Sequence, residues 1–155
     1  LNFIEEQLGD MIDRSERSHD KFIERSFYVD FSISSDELKD FVYSDQPITI
    51  TEVARRFNDI SKNIPENELK PINLNLWLIG DGVLEEEDTQ YGKMKVPTEK
   101  GKQLGINSQE RTFDGRSYIS VTYSKDAQRY IVNHILDYLK KYTRKHINNS
   151  VPIAG

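Results

Sequence analysis

The 155-residue chain has no cysteine. That excludes disulfide staples, thiolate zinc sites and cysteine nucleophiles, and it fits a reducing compartment, so the expected location is cytoplasmic. No apolar run approaches the roughly 18 residues a membrane helix needs, so no membrane partner is expected. Leu1-Asn2-Phe3-Ile4-Glu5-Glu6 lacks the basic start and long apolar stretch of a signal peptide. It also lacks a methionine, which is compatible with a fragment of a longer chain. The three histidines, His19, His134 and His146, stand in no metal-ligand spacing, and no metal is expected. Gly80-Asp81-Gly82 has no third glycine and precedes a strand, so no phosphate-cradling loop is read, and no Gly-x-Ser-x-Gly elbow occurs. No cofactor is expected.

What is present suits a packed domain. Eight tyrosines, seven phenylalanines and a tryptophan supply bulk for a core, although 30 % of residues are charged. The net charge is -5, unevenly spread: residues 1–34 carry -4, residues 35–97 carry -6 and residues 98–155 carry +5. An acidic front and a basic end suggest different partners for the two ends.

Apolar spacing organises the chain. Leu1, Ile4, Leu8 and Met11 open a helical stripe that Phe22 continues, so residues 1–28 read as one helix, or two broken near 15–19, available for self-association. Residues 30–34 read as a connector or edge strand. Ser35 is placed to cap a helix over 36–44 with Leu38, Phe41 and Val42 inward. Ile48-Thr49-Ile50 is a short β-like step, and Thr49 with Glu52 fits a capping box for a helix over 51–60. A further helix begins at Pro71 and ends at Gly80-Asp81-Gly82. Val83–Asp88 and Lys93–Val96 form a hairpin across Gln90-Tyr91-Gly92. Thr98 caps a short helix closed by Gly105. Arg111–Phe113 and Arg116–Tyr123 flank Asp114-Gly115, a dipeptide that tolerates positive φ. Ser124 caps a last helix reaching about residue 145.

The order helix, short strand, helix, helix, strand, turn, strand over residues 35–97 resembles a winged helix. Leu69 to Ile106, with Leu76-Trp77-Leu78, Gly82-Val83-Leu84 and Thr98-Glu99-Lys100-Gly101, resembles the end of winged-helix modules in bacterial and phage DNA-associated proteins. The expected fold class is α+β: a helical arm and connector (1–34), a winged-helix-like domain (35–106), and a β-hairpin with a long helix packed on it (107–155). The resemblance implies a non-enzymatic module that binds DNA or organises regulatory complexes. Its third helix would present Lys70, Asn73, Asn75 and Asn67 to a groove, and its wing would present Lys93 and Lys95 to phosphates. Glu85–Asp88 on that wing oppose such contact. The basic end offers a second surface, with Lys100, Lys102, Arg111, Arg116, Lys140 and Lys141 interleaved with tyrosines. An assembly module that binds only protein is the alternative expectation. Two enzyme readings are weaker. Arg14 with His19, and Arg129 with His134, match an Arg-x4-6-His ribonuclease signature, and Asp59 with Glu68-Leu69-Lys70 resembles a metal-dependent nuclease pattern.

Overall fold

The structure, a computed structural model, describes residues 28–90 and 92–143. The arm expected over 1–28 (Tyr28 excepted), the pair Arg14 and His19, and the segment from residue 144 lie outside them. The described residues are mixed helix and sheet, with five α-helices and two antiparallel hairpins, in accord with an α+β class.

Helix α1 (Ser35–Leu38) is a single turn. Its cap is Ser34 rather than the expected Ser35: the Ser34 hydroxyl accepts the Glu37 N–H at 3.0 Å, and the Glu37 carboxylate accepts the Ser34 N–H at 2.9 Å. The expected helix over 36–44 ends early. The amides of Lys39, Asp40 and Phe41 bond three residues back instead of four, which tightens and closes the turn. Phe41 is buried as expected, but Val42 is 65 % exposed rather than inward, because the helical period stops before it.

Ile48 exchanges two backbone hydrogen bonds with Tyr123, at 3.1 and 2.7 Å, so the β-like step pairs far along the chain. Thr49 then caps α2 (Ile50–Ile60), accepting the Glu52 N–H at 3.3 Å, and Val53, Ala54 and Phe57 form its buried face. A 3-10 turn, Pro65–Asn67, leads to α3 (Pro71–Gly80). The Asn58 side chain holds the intervening loop through both backbone groups of Leu69. Leu74, Leu76, Trp77 and Leu78 are all buried, so α3 is enclosed on most sides, as its sequence of near-continuous apolar residues requires.

The first hairpin is β1 (Leu84–Thr89) and β2 (Gly92–Pro97); α4 (Glu99–Leu104) follows, capped by Thr98. The second hairpin is β3 (Ile106–Phe113) and β4 (Arg116–Tyr123). Its turn residues have φ of 51° at Asp114 and 74° at Gly115, the two positive values of a type I′ turn. Ser124 caps α5 (Lys125–Tyr142), which buries Ala127, Ile131, Val132, Ile135, Tyr138 and Leu139.

One apolar cluster joins these parts. It runs from Val29, Phe31 and Ile33 through α2 and α3 to the roots of both hairpins (Leu84, Ile106 and Tyr123) and the inner side of α5. Val29 closes it by donating to the Tyr142 carbonyl at 2.9 Å. Gln128 is fully buried, at 0 % exposure, yet satisfied: it accepts from the Ser44 N–H and donates to the carbonyls of Ser44 and Tyr123. Among the described residues no helix is long and apolar enough to cross a membrane.

Candidate nucleic-acid interface

The residues expected at a groove divide at α3. Asn73 is buried, and its Oδ1 accepts the Lys70 N–H at 2.8 Å. Its side chain therefore satisfies one of the helix's own end groups instead of facing outward, which corrects its expected place on the groove-facing side. Lys70 is exposed and Asn67 and Asn75 are half-buried.

The register of the first hairpin decides what its charges can do. Asp88 lies opposite Lys93 and Glu86 opposite Lys95, so each lysine has an acid as its cross-strand neighbour. Glu85 and Glu87 fall on the other face, opposite Val96 and Met94. The run of four acids is thus split between two faces, and one half offsets the wing lysines.

Lys93 and Lys95 nevertheless meet Asn75 in one place. A cleft of about 350 Å³ opens between the hairpins and is lined by Thr49 and Ile50 at the start of α2, by Asn75, by both lysines and by Tyr118. Thr49 and Ile50 reach the cleft because β4 bridges to Ile48, which carries the start of α2 against the second hairpin.

Lys100 and Lys102 are placed differently. Lys100 Nζ donates to the Asp81 carbonyl at 3.2 Å, and Lys102 pairs with Glu99 at 3.3 Å. Around them the Thr98–Gly101 step works as a clamp. The Thr98 hydroxyl donates to the Gly82 carbonyl at 2.6 Å and accepts the Gly101 N–H at 3.1 Å, and the Thr98 N–H donates to the Val83 carbonyl at 3.1 Å. Gly101 is buried against that same Val83 carbonyl, where any Cβ would collide. The motif thus joins the entry of β1 to the start of α4.

On the second hairpin Phe113 lies opposite Arg116, and Arg111 opposite Tyr118. These four share a face with Gln109, Ser120, Asn107 and Thr122, none of them acidic. The other face carries Glu110 and, at its root, the buried Ile106 and Tyr123. Phe113 is 76 % exposed and Tyr118 41 %. Sequence reasoning missed Phe113. The available signal was its position beside the Asp114-Gly115 turn, in alternation with Arg111.

Lys140 and Lys141 stand in the last turn of α5. They lie about 22 Å along the helix axis from its start, away from the hairpin's connection to it. Lys141 sits over the Tyr142 ring at 5.3 Å. The basic end is therefore two separate groups. The tyrosines interleaved with it, Tyr118, Tyr123, Tyr130, Tyr138 and Tyr142, are mostly turned inward: Tyr123 and Tyr138 are buried, and the hydroxyls of Tyr130 and Tyr138 both donate to the Asp81 carboxylate, the former at 2.9 Å. Burial, and then this bond to Asp81, push the Tyr130 hydroxyl up to about 12, so it is a fixed donor at neutral pH.

The residues of the enzyme signatures that lie among the described residues have contacts of their own. Arg129 and His134 are five positions apart on α5, about 140° around it. Arg129 pairs with Asp126, while the His134 ring stacks on Tyr130 at 4.0 Å. Asp59 pairs with Arg55 at 2.6 Å. No group of three histidine, aspartate or glutamate side chains suited to a metal is present among the described residues. Compared with family models, curated proteins and solved structures, the chain matches none.

Proposed function

We propose that this chain is a non-enzymatic, winged-helix-like module of a bacterial or phage DNA-associated system that contacts nucleic acid mainly through its basic C-terminal part. In this reading residues 35–106 form the winged-helix-like unit and the second hairpin and α5 extend it. The observation that carries it is the acid-free face of β3–β4, where Arg111 and Arg116 stand beside exposed rings. Tyr118 of that face also lines the cleft that holds Asn75, Lys93 and Lys95. Cations on a projecting strand pair suit phosphates, and the contribution of the first hairpin is held down by Glu86 and Asp88.

The test is a titration with labelled DNA at about 50 and 200 mM salt, where neutralising four phosphates implies roughly a hundredfold loss of affinity. Steep loss with salt, together with loss on Arg111→Glu/Arg116→Glu, supports the reading. No binding at the lower salt sinks it. The second reading is an assembly module, favoured by the exposed acids Glu85–Asp88, which suit a basic protein surface.

A further inference from the structure

We propose that the β3–β4 hairpin takes unpaired nucleotides, with Phe113 and Tyr118 as stacking platforms and Arg111 and Arg116 on the adjoining phosphates. This rests on the nucleic-acid reading above and names its substrate class.

The argument begins with the register. Arginine and aromatic alternate along each strand and face each other across the pair: Arg111 and Phe113 on β3, Arg116 and Tyr118 on β4. Each ring thus has an arginine directly opposite and another two positions along its own face. The rings form a diagonal pair, with about 7 to 8 Å between their backbone positions. Bases in a duplex repeat every 3.4 Å or so and already have both faces covered, so two rings at that wider spacing find no free partner in an intact duplex. Separated bases have free faces, and stacking on them needs no particular sequence.

Placement supports the same occupant. Burial of an aromatic ring is favourable, yet Phe113 is left 76 % exposed at the tip, on a turn whose two positive φ values fix the strands' direction. Charge complementarity points to an anion, since none of the paired residues on the face is a carboxylate and the acid at the tip, Asp114, lies in the turn beyond them. Tyr118 also lines the cleft with Lys93, Lys95 and Asn75, so cations lie near the inner of the two rings as well.

The test uses the full chain with a labelled oligothymidine strand and the same strand in duplex, both at about 50 mM salt. Phe113→Ala/Tyr118→Ala should weaken single-strand binding at least tenfold and duplex binding less than about twofold. Phe113→Trp should retain single-strand affinity, and 2-aminopurine in the strand should be quenched by the wild-type chain and by Phe113→Trp but not by Phe113→Ala/Tyr118→Ala. Both rings are surface groups, so a folding defect is not expected, and unchanged amide-region circular dichroism checks this. Equal loss on both DNA forms, or no loss on either, overturns the stacking inference while leaving nucleic-acid binding in place. Failure of the wild-type chain to bind either form overturns both.

Discussion

In β1–β2 the pairing sets Asp88 across from Lys93 and Glu86 across from Lys95; in β3–β4 it sets Arg116 across from Phe113 and Arg111 across from Tyr118. Both are two-stranded, and both root in the same apolar cluster, the first through Leu84 and the second through Ile106 and Tyr123. Two strands alone are marginal in water, so those buried roots supply most of what keeps each hairpin formed. What the difference teaches is that the count of lysines in a segment says little about its attraction for phosphate. Strand pairing decides whether a cation has an acid for a neighbour or a ring. The first hairpin has its lysines internally offset, whereas the second leaves its arginines on a face with no acid.

The comparison can be broken most directly by reversing charge. Arg111→Glu/Arg116→Glu should lower DNA affinity about a hundredfold at about 50 mM salt, and Lys93→Glu/Lys95→Glu less than tenfold. A larger loss from the lysine pair in a fluorescence anisotropy titration would invert the ranking of the hairpins. A smaller effect tests the turn. Gly115→Ala meets no atom within 4 Å but keeps a left-handed backbone, so it should cost about 1–2 kcal/mol in urea unfolding and speed hydrogen exchange in β3–β4. Smaller still, Glu86→Gln/Asp88→Asn should unmask the wing lysines. A several-fold gain in duplex affinity at low salt, gone by about 200 mM, is the expected result.

The smallest effect lies outside the hairpins. Hydrogen bonding from Arg55 holds the Glu52 carboxyl down to about 2, below its ordinary 4.5. Between those values the unfolded chain binds more protons, so the stability Glu52 contributes is present above 4.5 and fades as the pH falls towards 2. The pair is surface-exposed and its worth is small. Glu52→Gln should lower stability slightly above pH 5, leave the slope there unchanged, and flatten the fall between about pH 4.5 and 2 in an acid-unfolding curve.

Features set by neighbours in sequence were legible before the fold. The caps at Thr49, Thr98 and Ser124 and the Asp114-Gly115 turn follow from residues within three positions of one another, and the structure places them as expected. Features set by distant partners were not. Gln128 reaches Ser44, 84 residues away, and the Tyr138 hydroxyl reaches Asp81 across 57 residues. No periodicity announces such pairings, because the polar atoms meet only after the elements pack. The candidate site shows the same division. Arg111, Arg116 and Tyr118 were visible as basic and aromatic residues of a hairpin. Their arrangement with Phe113 needed the register, and the shared cleft of Asn75 with Lys93 and Lys95 needed the packing of α3 and the two hairpins. Asn73 was misplaced because an asparagine three residues after a helix start serves the backbone as readily as it serves a ligand.

The burial pattern of the second hairpin gives it the mechanics of a cantilever. Ile106 and Tyr123 at its root are buried, whereas every later residue of β3 from Asn107 to Phe113 is exposed. β4 is half-buried from Ile119 to Thr122, so only the outer end overhangs: about four residues at about 3.4 Å each put the tip roughly 14 Å beyond that support. Pivoting by about 10° there sweeps the tip through roughly 2 Å, less than one base step of a duplex. The Ile48 bridge and the Gln128 amide, both acting on Tyr123, set how stiff the mounting is.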